Sequence, residues 1–308
     1  MYPTFYDLVL DLFEISVPAF KYMQSYGMMV GVGFIVGSIL LIIELKRKES
    51  IGQIKPVKNP KSGELVHADD HVGNIAIIAG IGAIVGGKLF HNLENWDQVV
   101  DDPMGALTRM SGFSFYGGMI VAMSLFVWYA RKHQLKILHF FDAVMPSLAL
   151  GYGFGRLGCH ISGDGDWGIP NDLPKPDWMS FLPDWMWAYD YPNNVLGVDL
   201  ITYYASKGYT SLTGFAYPTP IYEIIMSIMI FAVLWSMRKR WTTPGIMISA
   251  YFILAGAERL LIEQIRINNE YNILGGITQA EIISMTMIVL GCLGIYYMPK
   301  VGQRWAKY

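Results

Sequence analysis

The chain has 308 residues, 53% of them hydrophobic and only 16% charged. With a mean hydropathy of +0.33, that balance excludes an ordinary soluble domain and points to a polytopic membrane protein. A net charge of -2 suggests no nucleic-acid partner, and two cysteines in separate segments, Cys159 and Cys292, argue against a disulfide framework or a cysteine-rich metal cluster.

Residues 1–25 carry acidic groups early and lack a basic leader, so they are expected to lie at the membrane interface rather than act as a cleavable signal. A spanning helix needs about 20 mostly apolar residues. Seven runs qualify: Tyr26–Leu45, Val72–Leu93, Phe115–Tyr129, Leu138–Gly158, Pro220–Met237, Gly245–Gln264 and Gln279–Met298. The fold class expected is an all-α integral membrane protein of about seven transmembrane helices. Its segments are an interfacial stretch 1–25, four helices over 26–158, a cap over 159–219, and three helices with a tail over 220–308.

Basic residues set the orientation. Lys46, Arg47, Lys48, Lys55, Lys58 and Lys61 follow the first run; Arg131, Lys132 and Lys136 follow the third; Arg238, Lys239 and Arg240 follow the fifth; Lys300, Arg304 and Lys307 lie in the tail. Fifteen of the 23 Lys and Arg thus fall on one side, against Lys21, Arg109, Lys175, Lys207 and Arg266 on the other. That bias puts the N-terminus outside and the C-terminus in the cytoplasm. The loop IKPVKNPKSGELVHADD is then a flexible cytoplasmic connection. The long loop 159–219 is external and holds four of the nine tryptophans, Trp167, Trp178, Trp185 and Trp187, besides six tyrosines. Such residues favour the headgroup zone. Their concentration in one loop predicts a small cap on the outer leaflet, beyond a plain aromatic belt.

Lys88, Arg156, Arg259, Glu223, Glu258 and Glu263 remain within the runs or at their ends. A charge near the bilayer centre costs roughly 2.5–3.5 kcal/mol on the lenient insertion scale. Either these groups neutralise one another or they line a polar chamber. In AERLLIEQIR, Arg259, Glu263 and Arg266 recur at four and three residues, which puts them on one helix face with Glu258 pointing elsewhere. Arginine's planar fork suits phosphate oxygens. Arg156 sits near the outer end of its run, so the arginines gather where an anionic phospholipid head would lie. In SFYGGMI, Gly117 and Gly118 beside Tyr116 allow either close helix packing or entry of a lipid head.

Four motifs in order resemble the prolipoprotein diacylglyceryl transferases of bacteria. GRLGCHISGDGDWG is similar to the family's G-R-x-G-[NC]-x-x-x-G…G, and SFYGGMI to S-F-H-G-G-L-I. PTPIYE is similar to P-[ST]-Q-L-Y-E, and ERLLIEQIR to R-x-x-x-E-x-x-R, while GGITQAEIIS matches T-x-x-Q-x-x-S in part. The resemblance implies transfer of the diacylglyceryl group of phosphatidylglycerol to the lipobox cysteine thiol of a prolipoprotein. The products are a thioether and glycerol 1-phosphate, made at the outer face of a bacterial inner (plasma) membrane. It implies Arg156, Arg259, Glu263 and Tyr116 as catalytic candidates. Arg156, Arg259, Arg266, Gly117, Gly118, Tyr222, Glu223 and His160 are the lipid-binding candidates. No cofactor or metal is expected, since HExxH, DDxxD and Cys/His ligand pairs are missing from the sequence.

The sequence departs from the family pattern in three places. Tyr116 replaces the family histidine, and a phenol with pKa near 10 is a poor base at neutral pH. The turn after Gly163 is one residue longer, and Ala255 replaces a tyrosine. The attacking thiol must become a thiolate, and Glu263, His160 and, through a water, Tyr116 are the candidate bases. Cys159 is expected to be a free thiol in a glycine-rich packing site. Asp164 and Asp166 are expected to cap or order the external turn. The alternative function is a secondary transporter of an anionic substrate, which also uses buried charges and glycine-broken helices.

Overall fold

The computed structural model describes residues 1–58, 63–108, 112–267, 270–271 and 276–305. Lys61, Arg109 and Lys307, which entered the charge count, lie outside the described residues, as does part of the loop around them. The described residues are mostly helical. In chain order the helices are α1 (Phe5–Phe13), α2 (Ser25–Ser50), α3 (Val72–Glu94), α4 (Trp96–Asp101), α5 (Pro103–Thr108), α6 (Phe115–Lys132), α7 (Ile137–Ser162), α8 (Leu200–Ser206), α9 (Thr219–Met237), α10 (Ile246–Glu263) and α11 (Gln279–Trp305). Two antiparallel pairs, β1 (Val57–Lys58) with β2 (Leu65–Val66) and β3 (Glu270–Tyr271) with β4 (Ile277–Thr278), complete the list.

Each of the seven apolar runs falls on one helix: α2, α3, α6, α7, α9, α10 and α11. Five helical segments among the described residues are long and apolar enough to cross a membrane: Ser25–Ser50, Asp69–Glu94, Ile137–Ser162, Thr219–Met237 and Gln279–Trp305. Helices α6 and α10 are shorter, 18 residues each, and α10 carries Glu258, Arg259 and Glu263.

The chain forms two compact units, Met1–Gly37 with Val144–Gly302, and Ser38–Ala143 with Gln303–Tyr308. In the second unit α3 packs on α6 through small residues. A Cβ at Gly82 would come within 2.7 Å of the Ala122 Cα, and one at Gly118 within 2.8 Å of the Ala83 carbonyl oxygen. Gly117 meets the Phe90 side chain and the Gly86 carbonyl. These glycines let the two backbones touch, which is the use that membrane helices make of small residues. Tyr116, one position earlier, is 37% exposed. Lys88 sits 5.5 Å from the centre of the Phe113 ring. Near the end of α2, Arg47 reaches back one turn and donates from Nε and Nη2 to the two oxygens of buried Glu44, at 2.8 and 2.5 Å.

In the first unit, Thr4 and Asp7 form a reciprocal cap that starts α1, and Glu14 in the left-handed region ends it. Helix α11 lies against α10 at Gly256 and Gly291, where a Cβ would come within 2.8 Å of Ser284 O and 2.6 Å of Ser249 O. Between α7 and α9 the chain builds a core of its own from Trp167, Tyr191, Leu200, Tyr204 and Ala216. Asp199 caps α8 by accepting from Thr202 N at 3.1 Å, and buried Tyr204 donates to Gly168 O at 2.7 Å. The aromatics of this loop therefore divide: Trp167, Tyr191 and Tyr204 pack inward, while Trp178, Phe181 and Trp185 stay exposed.

Candidate active site

The charged cluster of the first unit is built from the end of α7, the start of α9 and the end of α10. Helix α7 continues through Gly151, Gly153, Gly155 and Gly158 to Ser162. It stops at Gly163, whose N–H bonds Cys159 O at 3.0 Å with φ of +63°, as a glycine cap does. Gly165 also has positive φ, +94°. The two left-handed glycines turn the chain back, so that Asp166 faces Arg156 on the last two turns of α7. An added Cβ at either position would strain the backbone.

Past the turn, Gly168 forms a bridge with Arg266, and Ile169 N donates to Ile265 O at 2.9 Å. A side chain at Gly168 would run into the Ile265 carbonyl and, at 2.9 Å, into Thr219 and Tyr217. That backbone register sets Arg266 beside Asp166. Thr219, at the start of α9, donates its hydroxyl to Asp166 O at 2.7 Å and anchors the third element.

Four side chains then close a ring. Arg156 Nη1 donates to Asp166 Oδ2 and lies 3.6 Å from Glu223 Oε2. Arg266 Nη2 donates to Asp166 Oδ1 at 2.6 Å, and its Nη1 to Glu223 Oε1 at 3.3 Å. Glu223 is fully buried. Tyr152, one turn before Arg156, donates to Glu223 Oε1 at 2.8 Å and lies under the Arg156 guanidinium, 5.1 Å from its carbon. Burial alone would raise the Asp166 carboxyl, but the charges of Arg266 and Arg156 hold it below the ordinary carboxylate range. Asp164 has no such pair: burial raises it, and the neighbouring Asp166 charge adds to the rise.

A second pair lies on α10, where Arg259 Nη2 meets Glu263 Oε2 at 2.7 Å. Thr278 donates to Glu263 Oε1 at 2.6 Å and also caps α11 with Glu281, giving the threonine of GGITQAEIIS its local role. Arg259 Nη1 is buried with no hydrogen-bond partner. It is a donor available to an incoming anion.

Several expectations are revised by this geometry. Helix α10 ends at Glu263, so Arg266 lies beyond it and is not on one helical face with Arg259 and Glu263. Arg266 instead joins Asp166 and Glu223. Asp166, expected to order the turn, is a partner of two arginines. Its role had no spacing signal, because it depends on the positive φ of Gly163 and Gly165. Tyr152 is not among the candidates drawn from the sequence, although its place four residues before Arg156 on the same helix face is a signal for it. Glu258, expected to point away, is buried at 7% exposure, within electrostatic reach of Arg259, Arg156 and Arg266.

The remaining candidates sit as follows. His160 has its ring 5.7 and 5.6 Å from the rings of Tyr189 and Tyr191, with Nδ1 buried and unpartnered. Tyr222 donates to Met186 O at 2.9 Å. Tyr116, Gly117 and Gly118 belong to the second unit. Cys159 is a free, buried thiol whose Sγ donates to Asp166 Oδ2 at 3.6 Å. Donor atoms of Cys159, Asp164 and Asp166 lie within 4.8 Å of one another. Both Asp166 oxygens already receive arginine donors, which makes the setting one for anions.

The sequence model of the prolipoprotein diacylglyceryl transferase family matches residues 13–297. The chain is similar to the phosphatidylglycerol–prolipoprotein diacylglyceryl transferase of Clostridium tetani, with 28% identity covering 92% of this chain and 94% of that protein. The transferase of the same name from Leptospira interrogans is 26% identical over 82% of this chain and 76% of its own length. That of a Marinomonas strain is 24% identical over 94% and 91%. From Arg156 to Arg266, the residues of the charged cluster lie inside the matched span, and the chain belongs to the prolipoprotein diacylglyceryl transferase family.

Proposed function

We propose that this chain transfers the diacylglyceryl group of phosphatidylglycerol to the lipobox cysteine thiol of a secreted prolipoprotein, releasing glycerol 1-phosphate. The observation that carries the reading is the cluster of Arg156, Arg259 and Arg266 at the ends of α7 and α10, with the unpartnered Arg259 Nη1 among them. The excess of Lys and Arg after α2, α6, α9 and α11 supports seven crossings, including α6 and α10, with the N-terminus outside. The cluster then opens at the outer leaflet of the inner membrane, under the cap formed by residues 159–219, with residues 1–25 at the interface.

In this reading Arg156 and Arg259 bind the lipid phosphate, and Asp166 and Glu223 hold Arg156 in place. The thiolate sulfur attacks the glyceryl carbon, and the carbon–oxygen bond to phosphate breaks. The thiol proton leaves with the base, and the bonding electron pair leaves on the phosphate oxygen. Guanidiniums already oriented toward that oxygen stabilise the charge it gains. Glu263, His160 and Tyr116 are the candidate proton acceptors. Tyr222 ties α9, which bears Glu223, to Met186 O. Nothing in this chemistry asks for a cofactor.

The test is a reconstituted assay in phosphatidylglycerol vesicles with a lipobox peptide. Glycerol phosphate release that requires the peptide cysteine, and stops when it is serine, is the expected result. Release independent of the peptide, or uptake of an anion with no lipid turnover, would overturn the reading.

A further inference from the structure

Three arginines and five carboxyl groups share this part of the first unit: Arg156, Arg259 and Arg266 against Asp164, Asp166, Glu223, Glu258 and Glu263. The ion pairs use Asp166, Glu223 and Glu263, one carboxylate for each arginine in number. Glu258 is in none of the ion pairs of the described residues. It is 7% exposed, and its Oε1 is buried with no hydrogen-bond partner. The titratable and charged groups that act on it are Glu223 from α9, Arg259 and Tyr251 from α10, Arg156 and Tyr152 from α7, and Arg266 beyond α10. Glu223 leads these charges, so its strongest neighbour is another acid.

The charge count has a consequence for an anionic lipid. The three arginines and the three carboxylates paired with them cancel, which leaves Asp164 and Glu258 as the carboxyl groups whose ionisation sets the sign of the cluster. An ionised Glu258 would make the cluster negative, in a site where charges are poorly screened, and would repel a phosphate diester. A neutral Glu258 removes its own share of the repulsion and offers an O–H donor from the oxygen that now has no partner. We infer that Glu258 carries a proton when the lipid phosphate is bound, so that phosphatidylglycerol binding and this proton are linked. The inference rests on the transferase reading for the identity of the lipid. Rising pH removes the proton, adds a negative charge and weakens lipid binding; Glu258→Gln cannot ionise and loses the dependence.

The experiment measures the KM for phosphatidylglycerol, and separately the thermal stabilisation of the detergent-solubilised protein by that lipid, between about pH 6 and 9. The expected result is a KM that rises about tenfold across the range, with a smaller change in kcat. Glu258→Gln flattens the rise, Glu258→Asp retains it, and Asp164→Asn retains it. A flat profile in the unmutated protein overturns the inference, and so does a rise that survives in Glu258→Gln or disappears in Asp164→Asn. If Glu258→Gln fails to fold, the unmutated protein, Glu258→Asp and Asp164→Asn still decide. Lipid stabilisation with the expected pH dependence but without glycerol phosphate release would sink the transferase reading alone. Turnover with a flat KM would sink the proton link alone.

Discussion

Two places in this molecule bury charge on apolar helices, and they do it differently. In the second unit Arg47 folds back one turn onto Glu44 and makes a two-pronged contact with its carboxylate. The pair is local, on one helix, and both of its groups come from a four-residue stretch. In the first unit Arg266 and Asp166 come from positions 100 residues apart, and Glu223 joins them from a third element. Buried polar atoms without a hydrogen bond remain there: Glu223 Oε2, Arg259 Nη1 and Glu258 Oε1. The pair near the end of α2 is satisfied within one turn of its own helix. The cluster of the first unit takes its residues from several elements and keeps one guanidinium donor, Arg259 Nη1, in reserve, as the proposed binding of a phosphate would require.

Perturbing the two places should separate them. The largest effect among the supporting residues is expected at Glu223, which accepts from Tyr152 and Arg266 and pairs with Arg156. Glu223→Gln should lower transfer about 100-fold, measured as glycerol phosphate release per folded molecule. Activity near that of the unmutated protein would show that the ring is not needed to position Arg156. Tyr152→Phe removes one hydrogen bond to a carboxylate and should lower transfer about tenfold. An unaltered rate would assign Tyr152 to packing. Tyr116→Phe should slow turnover about fivefold if the hydroxyl donates a hydrogen bond in the reaction, while Tyr116→His, the residue the family pattern carries, is tolerated. A silent Tyr116→Phe makes the position structural. The smallest effect on catalysis is expected for Arg47→Met: thermal unfolding moves down, because Glu44 loses its bidentate partner, while the rate per folded molecule stays the same. A loss of turnover at constant fold would break the contrast between the two places.

The transmembrane helices were legible because length and apolarity alone define them, and α3, predicted over Val72–Leu93, spans Val72–Glu94. The arginines were legible as charges without an apolar excuse. What was not legible was their partnership. The spacing of Arg259, Glu263 and Arg266 fits a helix that in fact ends at Glu263, and the sequence gives no sign that the bridge between Gly168 and Arg266 redirects the last residue. Asp166 was read as a turn residue because its role arises from two backbone conformations at Gly163 and Gly165. Helical periodicity places Glu258 off the arginine face, where the charges of Arg156 on α7 and Glu223 on α9 nevertheless act on it. Gly117 and Gly118 carried two readings, and the space beside them holds Ala83 and Phe90 of α3. Membership of a transferase family, with relatives matched along most of their length, leaves the transporter alternative without support from similarity.

The central claim is that Arg156, held by Asp166 and Glu223, stabilises the charge that grows on the departing glycerol phosphate. Its most direct test is transfer from labelled phosphatidylglycerol to a lipobox peptide by Arg156→Ala, compared with the unmutated protein at equal amounts of folded, membrane-inserted chain. The account predicts a loss of at least about 100-fold with helical content and lipid-dependent stabilisation still measurable. A rate equal to that of the unmutated protein would contradict it.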